Sequence, residues 1–355
     1  MDTKDSTRIS WLDTARSIAI LLVILCHVSG SEYFFGQSNI LDRSTVSQFF
    51  GFFLFTLGRL SVPLFLFISG YLLLPRSYDT EKSLNFYKHN LLPLFVASEI
   101  WIITFYTFTC YFNSYPFSFS TLIRNMLFLG YEKISYLWYL PTIIGLYLYI
   151  PFFAIAIQKI NIKITGLLLP ITFLYCFFIP TINILFASLE IPLLSSQLFL
   201  YFGGGVYGFY MLTGYLFSKN FFKKLPLICL LSGFLCFVLL TALFQMTMYH
   251  KGHPYTIWYE FALLPIAAMF LFAILQNYPL PSFNNCGKYI AKYSFGIYLV
   301  HEAVRMITKR YFPFKYLCSP LRVFLLCILT FLISMSIVSL FSKISIIKKY
   351  LFLIK

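Results

Sequence analysis

Few residues in this chain can carry charge inside an apolar run, and these few define the chemistry open to it. An ionisable side chain in hydrocarbon costs several kcal/mol or more, so each is a functional candidate. The set is Arg16 and His27 in the first apolar run, Arg59 in the second and Glu99 in the third. A late run adds His301, Glu302 and Arg305. Arg16 and His27 are eleven residues apart, about three helical turns, and so project from nearly one face of a helix. Asp13 lies one turn before Arg16 on the same side. At 1.5 Å per residue the two are separated by about 16 Å along the axis. A guanidinium at the mouth of a site suits phosphate, which it grips with two parallel hydrogen bonds. An imidazole deeper in can act as a base near neutral pH. The alternative is plainer: Arg16 as a topology-setting charge and His27 as a hydrogen-bonded packing residue. Spacing alone does not decide between them.

The elements that would position these groups follow from composition. Hydrophobic residues make up 59% of the 355 and charged residues 11%, against about 45–50% and about 25% for soluble domains. The excess is spread along the chain, so one anchor cannot account for it, and burial in lipid must. Spans need roughly 17–25 mostly apolar residues. About ten segments qualify by that rule: Ile18–Phe35, Val46–Leu74, Leu91–Phe112, Tyr136–Ile157, Ile164–Ala187, Leu198–Phe217, Leu225–Met248, Ile257–Leu275, Ile290–Ile307 and Val323–Phe341. The expected fold is therefore all-α, a polytopic integral membrane protein of about ten transmembrane helices. The short loops predict a single membrane domain over residues 1–355, without a fused hydrolase-like domain. The first helix is expected to be retained rather than cleaved as a signal.

The net charge of +15 does not point to nucleic acid, because the basic residues cluster between apolar runs as topology charges do. With an even number of spans the termini share a side. Lys4, Arg8, Arg16, Arg76, Lys82, Lys88 and the basic residues near the C-terminus, Lys355 included, place that side in the cytoplasm. The cluster from Arg305 to Arg322 runs against this trend, and attraction to an anionic or phosphate-linked glycan is one explanation. Eight cysteines occur without a C-x-x-C pair and are expected to be buried apolar residues, not metal ligands or disulfides. No metal site is expected. The glycines Gly203, Gly204, Gly205 and Gly208 hold a G-x-x-x-G spacing that predicts close helix packing.

Four segments in order carry a resemblance. Trp11-Leu-Asp13 precedes Arg16, ten residues and His27. Arg59 opens a run ending in Phe67-Ile-Ser69-Gly70-Tyr71. Leu137-Trp138-Tyr139-Leu140 enters the fourth span. Tyr293-Ser294-Phe295-Gly296-Ile297-Tyr298-Leu299-Val300-His301 lies in the ninth. Together they resemble acyltransferase family 3, membrane enzymes of roughly ten spans that move acetyl or other short acyl groups from acyl-CoA onto sugars of surface polysaccharides.

The resemblance implies a membrane O-acyltransferase with acetyl as the expected group. It implies acyl-CoA as donor, with no permanently bound cofactor, and a hydroxyl of a cell-surface or lipid-linked glycan as acceptor. His27 matches the essential histidine, the expected general base, and Arg16 the arginine of acyl-CoA handling. Asp13 would orient Arg16 or cap the helix. Arg59 matches the second-span arginine, and Ser69 and Tyr71 match the Ser-Gly-Tyr element. Trp138 would stack on a sugar or anchor the interface. Ser294, Tyr298 and His301 form one helical stripe that would line an acceptor path. Glu99 has no family counterpart and is expected to pair with Arg59 from the neighbouring span. The expected location is a bacterial plasma membrane, multi-pass, with both termini cytoplasmic. The rival readings are a proton- or solute-coupled transporter using Arg59, Glu99 and His27 as a relay, and a non-enzymatic subunit of polysaccharide export.

Overall fold

A computed structural model describes residues 8–35, 40–198, 200–280 and 284–354. The basic residues Lys4 and Lys355 of the topology argument lie outside them. The described residues are helical, with no strand. In chain order the main helices are α1 (Ser10–Tyr33), α2 (Thr45–Arg59) and α3 (Ser61–Leu73), then α4 (Thr80–Phe112) and the short α5 (Phe119–Met126). They continue with α6 (Ser135–Gln158), α7 (Ile162–Ser188), α8 (Gly205–Ser218) and α9 (Leu227–His250). The last three are α10 (Leu263–Asn277), α11 (Asn284–Tyr311) and α12 (Ser319–Phe341).

Helix covers most of each expected apolar segment, though those at Leu198–Phe217 and Ile257–Leu275 begin in irregular chain, and the protein is a multi-pass membrane protein. Seven helical stretches, with α2 and α3 taken as one, are long and apolar enough to cross a bilayer. The others fall short for physical reasons. Helix α8 has 14 residues because Gly204 turns left-handed (φ +82°) and ends the preceding irregular stretch. Helix α10 has 15 residues. Helix α11 is long enough at 28 residues but carries Lys, Glu, Arg and His along its length.

Local chemistry sets the breaks. Pro63 has no N–H to give the carbonyl of Arg59 four residues back, so the helix interrupts at Leu60 and α3 restarts at Ser61. Arg59 thus sits at a helix end in the protein interior. A π-helical turn at Tyr87–Leu91 widens α4 just before Pro93, and such turns re-aim side chains. Asp79 caps α4 by accepting the Lys82 amide N–H at 2.7 Å, which holds its carboxyl below the ordinary carboxylate range.

Helix α1 is the central post: 67% of its apolar window is buried in protein, and 78% for α2–α3, against 22% for α7 and α9. It packs along α11, α2, α3, α12 and α10. Ser17 Oγ donates to Gly287 O at 2.8 Å, His27 faces Glu302, and Lys309 Nζ donates to Ser31 O at 2.7 Å. These successive contacts show that α1 and α11 run parallel. The expected G-x-x-x-G packing is not what the glycines at 203–208 do, because a Cβ on Gly208 would strike Gly203 O within the same turn. Close approach occurs instead between α3 and α8, where a Cβ on Gly70 would collide with Met211 O and one on Gly214 with Phe67 O.

Candidate active site

The parallel packing of α1 and α11 brings His27 together with three side chains of α11. His27 Nδ1 lies 3.8 Å from Glu302 Oε2, and its ring centroid is 5.0 Å from that of His301. Arg305, one turn on, grips Glu302 with both ends of its guanidinium, Nε to Oε2 at 2.8 Å and Nη2 to Oε1 at 2.6 Å. The carboxylate is therefore neutralised and fixed, with one oxygen turned toward His27. A bidentate pair of this kind is the strong form of the interaction.

His301 is fully buried. Its Nδ1 lies 2.6 Å from the carbonyl oxygen of Tyr298, which can only accept, so Nδ1 carries the proton and Nε2 the lone pair. That Nε2 is buried without a hydrogen-bond partner. Tyr136 closes the back of the group. Its ring meets both imidazoles edge-on, its hydroxyl donates to Leu299 O at 2.7 Å, and it accepts from Trp101 Nε1 at 2.6 Å. Tyr298 OH in turn donates to Tyr136 O at 3.2 Å. His27, His301 and Glu302 offer donor atoms within 4.8 Å of one another, a spacing that a cation can bridge. Glu302 Oε2 on the His27 side already accepts from Arg305 Nε, which a cation there would have to share or displace.

A cavity of about 290 Å³ runs beside this group. Arg16, Arg76 and Asn90 stand among its lining residues with Ser69, Tyr139, Tyr147, Ser294 and Tyr298. Arg16 marks one level of α1, and Tyr298 lies one turn before His301 on the parallel helix. Tyr298, in the lining, has its ring centroid 5.9 Å from that of His301, so a side chain of the cavity wall packs against the histidine group. Asp13 does not line it. Its buried carboxylate accepts from Arg8 Nε at 2.6 Å and lies 3.8 Å from Arg16 Nη1, which makes it the residue that sets the arginines.

Arg59 occupies a second compartment. Its guanidinium is 4.4 Å from the ring centroid of Trp258, 4.8 Å from that of Phe55 and 5.3 Å from that of Tyr259. It donates to Tyr259 OH at 3.4 Å and forms no ion pair among the described residues. Gly58 lets α2 approach α1 until a Cβ there would meet the backbone of Cys26. Arg59 consequently acts electrostatically on both Cys26 and His27. The loop bearing Trp258 and Tyr259 is pinned from below. Gln245 accepts from Ile257 N and donates to Thr56 Oγ1, and Tyr210 OH donates to Tyr259 O. Trp138 joins this aromatic roof, 5.3 Å from Trp258 and 5.2 Å from Tyr259 between centroids.

The structure separates other residues that the sequence placed together. Glu99 does not pair with Arg59. Helix α4 packs against α5, α6, α11 and the C-terminal turn, whereas Arg59 faces the loop after α9. Glu99 Oε1 is buried without a partner. Tyr71 does not reach the cavity: its ring packs edge-on against Trp11 at 5.2 Å and against Phe272 at 6.3 Å. The basic cluster from Arg305 to Arg322 is largely consumed inside the protein. Arg322 and Arg43 share the buried Glu32 at 2.8 and 3.2 Å, and Lys309 binds Ser31. Arg310 stacks on Phe112. These contacts engage much of the cluster within the protein.

Arg76 and Asn90 are site residues that the sequence did not single out, and Glu302 stood among the ionisable candidates without a role. Glu302 had a signal, a carboxylate beside His301 with Arg305 three residues on. Arg76 and Asn90 had none, because their placement depends on how α3 and α4 pack. A family model described as an acyltransferase domain matches residues 9–339, nearly the whole chain. No curated protein and no solved structure gives a match.

Proposed function

This chain belongs to the acyltransferase family, and from that premise we propose that it moves an acyl group, acetyl in the first instance, from acyl-CoA to a hydroxyl of a cell-surface or lipid-linked glycan. The observation that carries the reading is an arginine-lined cavity whose wall residue Tyr298 packs against a histidine–carboxylate group. Arg16 receives the phosphates of CoA, and the slender thioester arm follows the cavity toward His27. Asp13 holds Arg16 in place.

The step balances with the chain's own groups. The acceptor hydroxyl oxygen attacks the thioester carbonyl carbon while His27 takes its proton. Glu302 lies beside Nδ1 of His27 and stabilises the imidazolium that forms, much as a buried carboxylate serves a catalytic histidine elsewhere. The oxyanion of the tetrahedral intermediate is met by the charge of Arg59, which also acts on His27. The C–S bond then breaks, and the thiolate recovers the proton from His27. The products are an O-acyl ester and free CoA. His301 Nε2, which can only accept, receives a neighbouring hydroxyl of the acceptor and so orients the attacking one toward His27. Trp258, the exposed ring of this roof, offers a surface for a sugar on the opposite side from Arg16.

The positive-inside count puts Arg16 and both termini toward the cytosol of a bacterial cell, where acyl-CoA is made. Donor and acceptor then enter from opposite faces. Vesicles of both orientations, given labelled acetyl-CoA outside, test this. Label should reach a lumenal acceptor only when the Arg16 side faces the labelled donor. Transfer with both substrates confined to one face would refute the two-sided arrangement.

A further inference from the structure

The cavity beside His27 has a second arginine whose position the proposed reaction does not yet use. Arg76 follows α3, and both Arg76 and Arg16 line the same cavity, close enough for each charge to act on the other. Tyr147, also in the lining, feels both. The backbone there is fixed, since Gln158 Nε2 donates to Arg76 O at 2.8 Å and to Leu74 O at 2.6 Å. Arg76 Nε donates to Leu72 O at 3.0 Å, which steers the guanidinium. No carboxylate bridges it among the described residues. The nearby acid, Asp13, is already taken by Arg8 and Arg16. Asn90, aimed by the π-helical turn of α4, adds an amide to the same lining.

Like charges set together over one cavity repel each other, and the same arrangement attracts a ligand with more than one negative charge. Beyond the arginines the lining changes to Phe65, Ile68, Leu140 and Ile143. The geometry points to a ligand with a polyanionic head and a narrow, weakly polar tail. We propose that Arg76 is a second phosphate-binding residue and a donor-specificity determinant. With Arg16 it selects a thioester carried on a phosphorylated nucleotide over the same thioester on bare pantetheine. This rests on the acyl-CoA reading above. Phosphate can also arrive as the headgroup of an anionic phospholipid, and the test separates the two sources.

The full chain in phosphatidylcholine nanodiscs is assayed with acetyl-CoA and with acetyl-pantetheine, which lacks every phosphate. In Arg76→Ala the ratio of kcat/KM for acetyl-CoA to that for acetyl-pantetheine should fall on the order of tenfold, with Arg76→Lys intermediate. Lys82→Ala, which removes an exposed charge paired with Asp79 on the same side, should leave the ratio unchanged. Thermal protection by CoA, which needs no turnover, should weaken in Arg76→Ala. An unchanged ratio with an active wild type overturns the role of Arg76 and leaves the acyltransferase reading standing. A wild type that neither binds nor turns over acetyl-CoA overturns the acyl-CoA reading, and this proposal with it. Discs containing phosphatidylglycerol provide the lipid arm. Protection by that lipid but not by CoA, lost in Arg76→Ala, would make this a lipid site and refute the proposal.

Discussion

Replacing Glu302 by Gln removes the charge beside His27 and keeps the shape. In the proposed reaction His27 becomes an imidazolium whose Nδ1 is 3.8 Å from Glu302 Oε2. Two unit charges at that distance attract by about 4 kcal/mol at an effective dielectric of about 20. Arg305 lies on the other side of the carboxylate and cancels part of this. A net loss of about 1.5–3 kcal/mol is expected, which lowers kcat roughly 10- to 100-fold. KM for acetyl-CoA should change little, because Glu302 does not line the donor cavity. The assay is transfer of radiolabelled acetyl by purified protein in nanodiscs, which avoids thiol reagents that would also titrate the protein's free cysteines. Stability gives a second axis. Arg305→Met alone leaves a buried carboxylate unpaired and should cost about 3–5 kcal/mol, whereas the double variant Glu302→Gln, Arg305→Met should recover much of that. A Glu302→Gln enzyme with kcat within twofold of wild type would refute the electrostatic role assigned to Glu302. Strictly additive stability losses would refute the pairing with Arg305.

Arg16→Lys should raise KM for acetyl-CoA about tenfold while the protein inserts normally, since an ammonium cannot reproduce bidentate phosphate contacts; steady-state kinetics on equal amounts of folded protein would show it. Gly70→Ala should force α3 away from the Met211 carbonyl and cost about 1–3 kcal/mol, read as a lowered melting temperature. Glu32→Gln leaves Arg43 and Arg322 without their shared carboxylate, and should cost about 3 kcal/mol with kcat nearly intact in the molecules that fold.

The apolar segments and the face shared by Arg16 and His27 were legible in the sequence, because both depend on local period and spacing. Packing between distant helices was not. Glu302 meets His27 only because α1 and α11 run parallel in register, a fact no window of residues contains. Arg59 and Glu99 looked like partners because their spans adjoin in the chain. Pro63 breaks the helix at Leu60, and Arg59 faces aromatic rings instead. Arg76 read as a topology charge, yet the fold places it over the same cavity as Arg16. Tyr71 kept its motif position but spends its ring on Trp11 and Phe272. Arg322 read as part of a cluster facing an external anion, and its partner is Glu32, nearly three hundred residues earlier.

The most direct test of the account is mass spectrometry of surface glycans from cells expressing the wild type or His27→Ala at matched membrane levels. O-acyl groups should be present with the wild type and absent with His27→Ala. Equal acylation in the two strains would contradict the assignment of His27 as the base on which the proposed reaction depends.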